Sequence, residues 1–245
     1  MFLQSTYADL GITQSQFASS PSLVSVILFV HTWLISSSSI PLARILPSFL
    51  PSLNTMLQPS SRLHGDAIAF LLLVLHQNRV DTRSELLPEV INTLMPVLVA
   101  LSSTHPSPLA RHQAFRALSL LLGNSPAQLR LQLLADLLAN CEYPQMRVAA
   151  ISLVKDAVLE ALESQSTGSL NPFGTHMFMR VFGPLLFRPS PSDLFVRGVK
   201  LDLEEFFDSP EPKRIIEVLS LYYVVLRRDE NNEVCCLFQN FRCTC

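Results

Sequence analysis

The residues whose types and spacing could do chemistry include a serine and a lysine one helical turn apart. Ser152 and Lys155 match the S-x-x-K pattern of serine acyl enzymes, in which the lysine takes the proton of the nucleophilic serine. The companion S-D-N and K-T-G motifs of those enzymes are absent from the sequence. Because a serine and a lysine on an exposed helical face are ordinary, we predict no acyl-transfer site here.

The remaining candidates for catalysis are equally sparse. His64 and Asp66 place an imidazole near a carboxylate, but no activated nucleophile stands beside them, and an acidic residue there is typical of a helix start. None of the six histidines stands four residues from another, as zinc ligands on one helix do. Glycine-rich loops for phosphate or dinucleotides are also absent. The sequence predicts neither an enzyme nor a cofactor or metal site.

The number and positions of the five cysteines do not indicate a set of structural disulfides. Cys141 lies in a helical stretch, where a buried and inert thiol is expected. The other four cysteines lack the paired C-x-x-C spacing of a zinc site and crowd the end of the chain. They are Cys235, Cys236, Cys243 and Cys245.

Charge and hydropathy narrow the possible partners. The net charge is −2 and basic residues form no cluster longer than a pair, so a nucleic-acid partner is not expected. The most apolar run, Leu23 to Ile35, has 13 residues, whereas a membrane span needs about 20. No Lys or Arg precedes Arg44, so a charged export leader is not expected. We therefore expect a cytoplasmic or nuclear protein without a membrane segment.

Prolines recur along the chain in three runs whose successive members stand 18 to 20 residues apart. Proline fits the first turn of a helix and breaks a helix interior, so this rhythm marks helix starts. Two such units make a repeat of about 40 residues, the period of HEAT and armadillo helix pairs. The runs are Pro21, Pro41 and Pro59; Pro106, Pro126 and Pro144; and Pro172, Pro191 and Pro210.

Composition agrees with stacked helices. Hydrophobic residues make up 49% of the chain and charged residues 16%, so most helices must bury more than a narrow stripe. Seven glycines are few for a protein built of hairpin strands. We predict an all-α fold, an α-solenoid of HEAT- or armadillo-like antiparallel helix pairs, forming one domain over residues 1–232. Residues 233–245 are predicted to be an unstructured, cysteine-rich tail.

The clearest predicted helix runs from Met146 to Leu162, because apolar residues recur there at three- and four-residue spacing. A preceding helix from Ala127 to about Asn140 completes a hairpin with it. Elsewhere the interior prolines leave two readings open, a kinked helix or two shorter helices, around Ile40 to Leu57 and around Pro88 and Pro96.

This hairpin resembles the HEAT consensus in detail. The first helix of that family carries a leucine pair followed by an aspartate, here Leu133, Leu134 and Asp136, and the second opens with an arginine ahead of an alanine pair, here Arg147. The resemblance implies that Asp136 and Arg147 form a hydrogen-bonded structural ladder. If that pair is buried, Arg147→Ala should cost about 3–5 kcal/mol of stability.

Four stretches of the chain, two of them in this hairpin, resemble the fungal YAP-binding and glomulin-like family. They are Leu109 to Leu118, Leu131 to Leu138, Tyr143 to Lys155, and Leu219 to Asn232. The similarity is best over residues 106–232, and this region resembles a later portion of a longer family protein. After Asn232 the sequence turns abruptly cysteine-rich, as a frame change or an unspliced intron would produce, so we expect the chain to be a fragment.

Members of that family are non-enzymatic binding proteins, so the resemblance implies a protein-binding adaptor. Fungal members bind a stress-responsive bZIP transcription factor and assist its oxidation by peroxide. Glomulin instead caps the RING subunit of cullin ubiquitin ligases, which is the alternative for this chain. A second alternative is a thiol-based redox role for Cys141, the one cysteine inside the family-like region. The resemblance assigns no partner-binding residue, and the oligomeric state stays open.

Overall fold

The fold was established from a computed structural model, which describes residues 42–58, 61–81, 85–164, 171–189, 194, 203–229 and 234. Within these ranges the chain forms α-helices and a short 3₁₀ helix joined by turns, with no β-strand among them. Two compact units divide between Pro126 and Ala127. The predicted all-α class is confirmed, and the single domain over residues 1–232 stays a prediction.

The first unit contains four described helices. They are α1 (Leu42–Met56), α2 (His64–Asp81), α3 (Pro88–Thr104) and α4 (Pro108–Gly123). Helix α1 packs on α2 and α3 packs on α4, which gives two hairpins. Helix α1 also packs on α3, and α2 packs on α4. First helix on first helix and second on second is the stacking of HEAT and armadillo repeats, so the predicted helix pairs are confirmed.

The core of this unit is apolar and closely packed. Helix α2 buries one broad side, wider than a narrow stripe, as interior helices of stacked repeats do. Phe70 of α2 meets Phe49 of α1 with ring centroids 5.1 Å apart. The buried apolar residues of α2 are Ala67, Ile68, Phe70, Leu71, Val74 and Leu75.

A buried asparagine, Asn124, makes a network of hydrogen bonds near the C-terminal end of this unit. The side-chain amide of Asn124 donates to the carbonyl oxygens of Leu75 (3.1 Å) and Leu120 (2.8 Å). Its side-chain oxygen accepts from the amide of Asn78 at 2.8 Å, and its backbone carbonyl accepts from Leu86 at 2.9 Å. One residue thus satisfies polar groups of α2, α4 and the segment entering α3, where water cannot reach them.

The second unit contains five described helices and the 3₁₀ helix Pro172–Gly174. They are α5 (Ala127–Asn140), α6 (Pro144–Ser164), α7 (His176–Phe187), α8 (Leu203–Asp208) and α9 (Glu211–Arg228). Helix α5 packs on α6, and the same alternation returns as α5 packs on α7 and α6 packs on α9. The predicted hairpin of α5 and α6 is confirmed, with α6 beginning two residues before Met146.

Aromatic side chains form the centre of the second unit. Phe182 of α7 lies 5.9 Å from Phe173 and 5.2 Å from Phe178, measured between ring centroids. All three side chains are almost completely buried. Large aromatic side chains contribute heavily to a core, so these three hold the 3₁₀ helix and α7 together.

Prolines mark several helix starts but also lie inside helices. Pro88, Pro108 and Pro144 are the first residues of α3, α4 and α6. Pro126 and Pro210 stand directly before α5 and α9. The interior prolines of α1 and α3 are accommodated within single helices, which decides between the two readings of those segments; they are Pro47, Pro51 and Pro96.

Several expectations fall outside the described residues. These are the apolar run from Leu23 to Ile35, the prolines at 21, 41, 59 and 191, and the cysteines at 235, 236, 243 and 245. Beyond α9 the structure describes Val234, which is buried and donates its N–H to a carboxylate oxygen of Asp229 at 3.0 Å. Residues 1–41 and the rest of the predicted tail are not described further.

Candidate partner-binding surface

Helix α9 is fixed at its start by a buried ion pair. Glu211 is 4% exposed, and Arg214 donates to both of its carboxylate oxygens, each at 2.6 Å. The same guanidinium donates to the carbonyl oxygens of Leu186 (2.7 Å) and Arg188 (2.8 Å). Because carbonyls at the end of a helix lack partners of their own, Arg214 ties the end of α7 to the start of α9.

One side of α9 is apolar and exposed to solvent. Its side chains are 65%, 58%, 62% and 47% exposed in chain order. We name this side the α9 face; it consists of Ile216, Leu219, Tyr223 and Leu226. The opposite side buries Val218, Leu221 and Val225, and α9 packs on α6. A helix with apolar residues on both sides has one side in the core and leaves the other for a further contact.

Cations follow one edge of the α9 face. Lys213 and Arg227 are exposed and stand seven residues to either side of Ser220, so the three share one side of the helix. Lys155 of α6 reaches the same edge, where its Nζ donates to Ser220 Oγ at 3.1 Å. The carboxylate of Glu217 is the acidic group of that stretch of α9.

The other edge of the α9 face is aromatic and apolar. The ring of Tyr222 meets the ring of Phe187 from α7 edge to face, with centroids 5.6 Å apart. Phe187 remains 44% exposed. The two edges of the α9 face therefore differ in chemistry, one cationic and one apolar.

A groove of about 530 Å³ opens beside the start of α9 within the second unit. Its walls come from the end of α5, the start of α6, the end of α7 and the start of α9. Arg147, Arg188 and Arg214 line it together with Glu211 and apolar side chains. The guanidinium of Arg214 is engaged by Glu211, so Arg147 and Arg188 supply the remaining positive charge of the groove.

The structure does not join the two residues of the predicted ladder. Asp136 is exposed, and its carboxylate accepts from the side-chain amide of Asn140 at 2.7 Å. Arg147 is half-buried along the groove, and in the described part of the chain no hydrogen bond or ion pair links it to Asp136. The ladder stays a prediction, but the burial on which its 3–5 kcal/mol cost depended does not hold at Asp136.

A different charged pair links α5 and α6. Nη1 of Arg130 lies 2.8 Å from a carboxylate oxygen of Glu160, and its guanidinium carbon lies 5.7 Å from the centroid of the Phe173 ring. The arginine side chain is 9% exposed and that of Glu160 is 39% exposed. Sequence reasoning missed this pair because its members stand 30 residues apart with no local motif.

The other candidate residues form no catalytic arrangement with one another. Ser152 Oγ donates to the carbonyl of Ala149 in its own helix, at 2.7 Å, while Lys155 is engaged with Ser220. His64 Nδ1 lies 2.9 Å from the carbonyl oxygen of Ser61. Among the residues that the structure describes, no group of three or more histidines, cysteines or acidic residues could hold a metal ion.

Cys141 lies half-buried in the turn between α5 and α6. Nearby in that turn, a hydrogen bond to Glu142 raises the pKa of Tyr143, with burial adding to the effect.

Stacked pairs of antiparallel helices define the class of helical-repeat proteins. The sequence matches a family described as the uncharacterised protein family YAP/Alf4/glomulin over residues 25–239. This match covers most of the chain, which therefore belongs to the YAP/Alf4/glomulin family. No curated protein and no solved structure is significantly similar to the chain. In the described ranges, no helix has the combined length and hydrophobicity needed to cross a bilayer.

Proposed function

We propose that this chain is a non-enzymatic adaptor that binds a protein partner through its helical repeats. The exposed α9 face carries the proposal, because apolar side chains at helical spacing on a surface are typical of protein interaction sites. Membership of the YAP/Alf4/glomulin family supports it. The described residues offer a surface for binding and no arranged nucleophile, base or metal cluster.

The partner that the resemblance favours is a stress-responsive bZIP transcription factor, which gives the chain a role in the response to oxidative stress. The alternative is a component of a cullin–RING ubiquitin ligase, whose RING subunit the chain would cap as glomulin does. Both partners place the chain in the cytoplasm or the nucleus. The family description names both YAP and glomulin, so it does not distinguish between these two partners. Only a binding experiment can distinguish them.

The test uses the tagged full chain and two defined partners. Immobilised chain is incubated separately with a purified stress-response bZIP factor and with a purified cullin–RING complex. We expect retention of the bZIP factor and not of the ligase. The reverse result supports the ubiquitin-ligase alternative, and retention of neither contradicts the adaptor proposal.

A redox role through Cys141 is the second alternative, supported by the half-exposed position of that thiol. Replacing Cys141 with serine removes the thiol and keeps a similar side-chain volume. If the chain acts as a scaffold, cells carrying Cys141→Ser should oxidise the transcription factor after peroxide as fast as wild-type cells, measured by a gel-mobility assay of thiol state. A slowed oxidation, with unchanged binding, assigns the role to the thiol instead.

A further inference from the structure

We propose that the α9 face binds an amphipathic helix of a protein partner, and that acidic residues of that helix meet the cationic edge of the face. The proposal rests on the adaptor function proposed above and names the chemistry of the segment that the adaptor recognises. It follows from the spacing, exposure and edge charges of α9.

The spacing of the α9 face favours a helix as the occupant. Steps of three, four and three residues place the four side chains in a narrow stripe along one side of α9. This is the seam of a two-helix coiled coil, into which a second helix with the same spacing inserts its apolar side chains. From Ile216 to Leu226 the stripe runs for about 15 Å, or roughly three turns. An extended strand would match apolar residues at every second position instead.

The charge of the edge favours an acidic helix. In a two-helix seam, residues that flank the apolar stripe meet the flanking residues of the partner. Lys155, Lys213 and Arg227 supply three cations along one edge, and Glu217 supplies one carboxylate. Glutamates or aspartates that flank the apolar residues of the partner helix would therefore be attracted, and lysines would be repelled.

The same edge disfavours a second copy of this chain as the occupant. In an antiparallel pairing of two α9 helices, Lys213 of one copy meets Arg227 of the other, which places like charges together. In a parallel pairing the cationic edge faces the opposite edge, where Ile215 and Tyr222 offer no negative charge. A separate acidic helix complements the face better than α9 itself does.

Two matched peptides test the proposal on the full chain. Each is a fluorescently labelled helix of about three heptads with leucine at both seam positions. One carries glutamate at the flanking positions and the other carries lysine, so each peptide repels itself. We expect the glutamate peptide to bind at least about tenfold tighter, measured by fluorescence anisotropy. Its affinity should also fall several-fold as sodium chloride rises from about 50 to about 500 mM.

Two sets of variants locate the binding. Leu219→Glu combined with Tyr223→Glu should weaken the glutamate peptide at least about tenfold, because central apolar contacts supply most of the binding energy. Leu109→Glu is the matched control, since Leu109 is 65% exposed on α4 of the first unit. Lys213→Glu combined with Arg227→Glu should reverse the preference and favour the lysine peptide. This charge-reversal variant alters exposed residues only, so it tests the proposal even if the apolar variant is poorly folded.

Three results would overturn the proposal. They are equal affinity for both peptides, full binding by the folded Leu219→Glu and Tyr223→Glu variant, and a concentration-dependent dimer that this variant abolishes in analytical ultracentrifugation. Failure here is separable from failure of the adaptor function. If the variant still retains the bZIP factor or the ligase, the adaptor stands and the α9 face loses its role; if the wild-type chain retains neither, the adaptor proposal itself fails.

Discussion

At the scale of single residues, two arginines of the second unit should differ sharply in what they contribute to stability. Arg130 is buried, paired with Glu160 and stacked near Phe173, whereas Arg147 is half-buried along an open groove. Arg130→Ala removes the buried member of this ion pair together with its packing contacts. We expect the free energy of unfolding to fall by about 2 kcal/mol. Arg147→Ala should cost less than about 1 kcal/mol. Urea unfolding followed by circular dichroism measures both.

The two variants control for each other, because each removes the same side chain from a helix of the same hairpin. Equal losses, or a larger loss at Arg147, would contradict this prediction and favour a structural ladder between Arg147 and Asp136. The ladder is a prediction from a short sequence motif. That motif does not predict the exposed hydrogen bond between Asp136 and Asn140. The Arg130 to Glu160 contact depends on how two helices cross, which no local spacing encodes.

At the scale of elements, the interior proline of α3 should limit the stability of that helix. Pro96 is exposed and removes one backbone hydrogen bond from α3. Pro96→Ala restores the donor without removing a buried contact, so we expect a gain of about 1 kcal/mol. The midpoint of thermal unfolding should rise. Ala100→Pro, one turn further along the same helix, is the control and should lower it; a lowered midpoint for Pro96→Ala would contradict the prediction.

The start of α9 provides a second prediction about an element. Arg214→Ala removes the guanidinium from the buried carboxylate of Glu211 and from two carbonyl oxygens at the end of α7. We expect a loss of about 3–5 kcal/mol. Adding Glu211→Gln to this variant should recover part of the loss, because a neutral amide costs less to bury than a carboxylate. Urea unfolding of the single and double variants measures the recovery, and no recovery would exclude the ion pair as the cause.

The elements themselves were largely predictable from the sequence. Apolar spacing located α6 within two residues at either end, because its buried stripe repeats over many turns. Proline was less informative, since the same residue starts α3 and interrupts it at Pro96. The α9 face was present in the sequence as a three- and four-residue spacing. This spacing does not predict that the face is exposed, because apolar spacing alone does not say which side of a helix the core covers. In α9 the core covers the side that carries Val218 and Val225.

At the scale of the whole molecule, stacked pairs follow from composition, since one hairpin cannot shield so many apolar residues from water. The partner does not follow from the same physics, because packing determines the repeat and surface chemistry determines what it binds. The division into two compact units, each with its own buried core, is likewise a property of the folded chain. No sequence motif predicts it.

Each unit should become less stable independently of the other when its own buried hydrogen-bond network, around Asn124 or Arg214, is disrupted. Asn124→Ala deletes the side-chain bonds to Leu75, Leu120 and Asn78 in the first unit, and each intramolecular hydrogen bond lost costs about 1 kcal/mol. Amide hydrogen exchange should therefore speed up in α2 to α4 and stay unchanged in α5, α6 and α9. Arg214→Ala should give the reverse pattern, because its bonds lie in the second unit. Equal acceleration in both units by either variant would show that the chain opens as one cooperative body, contrary to this prediction.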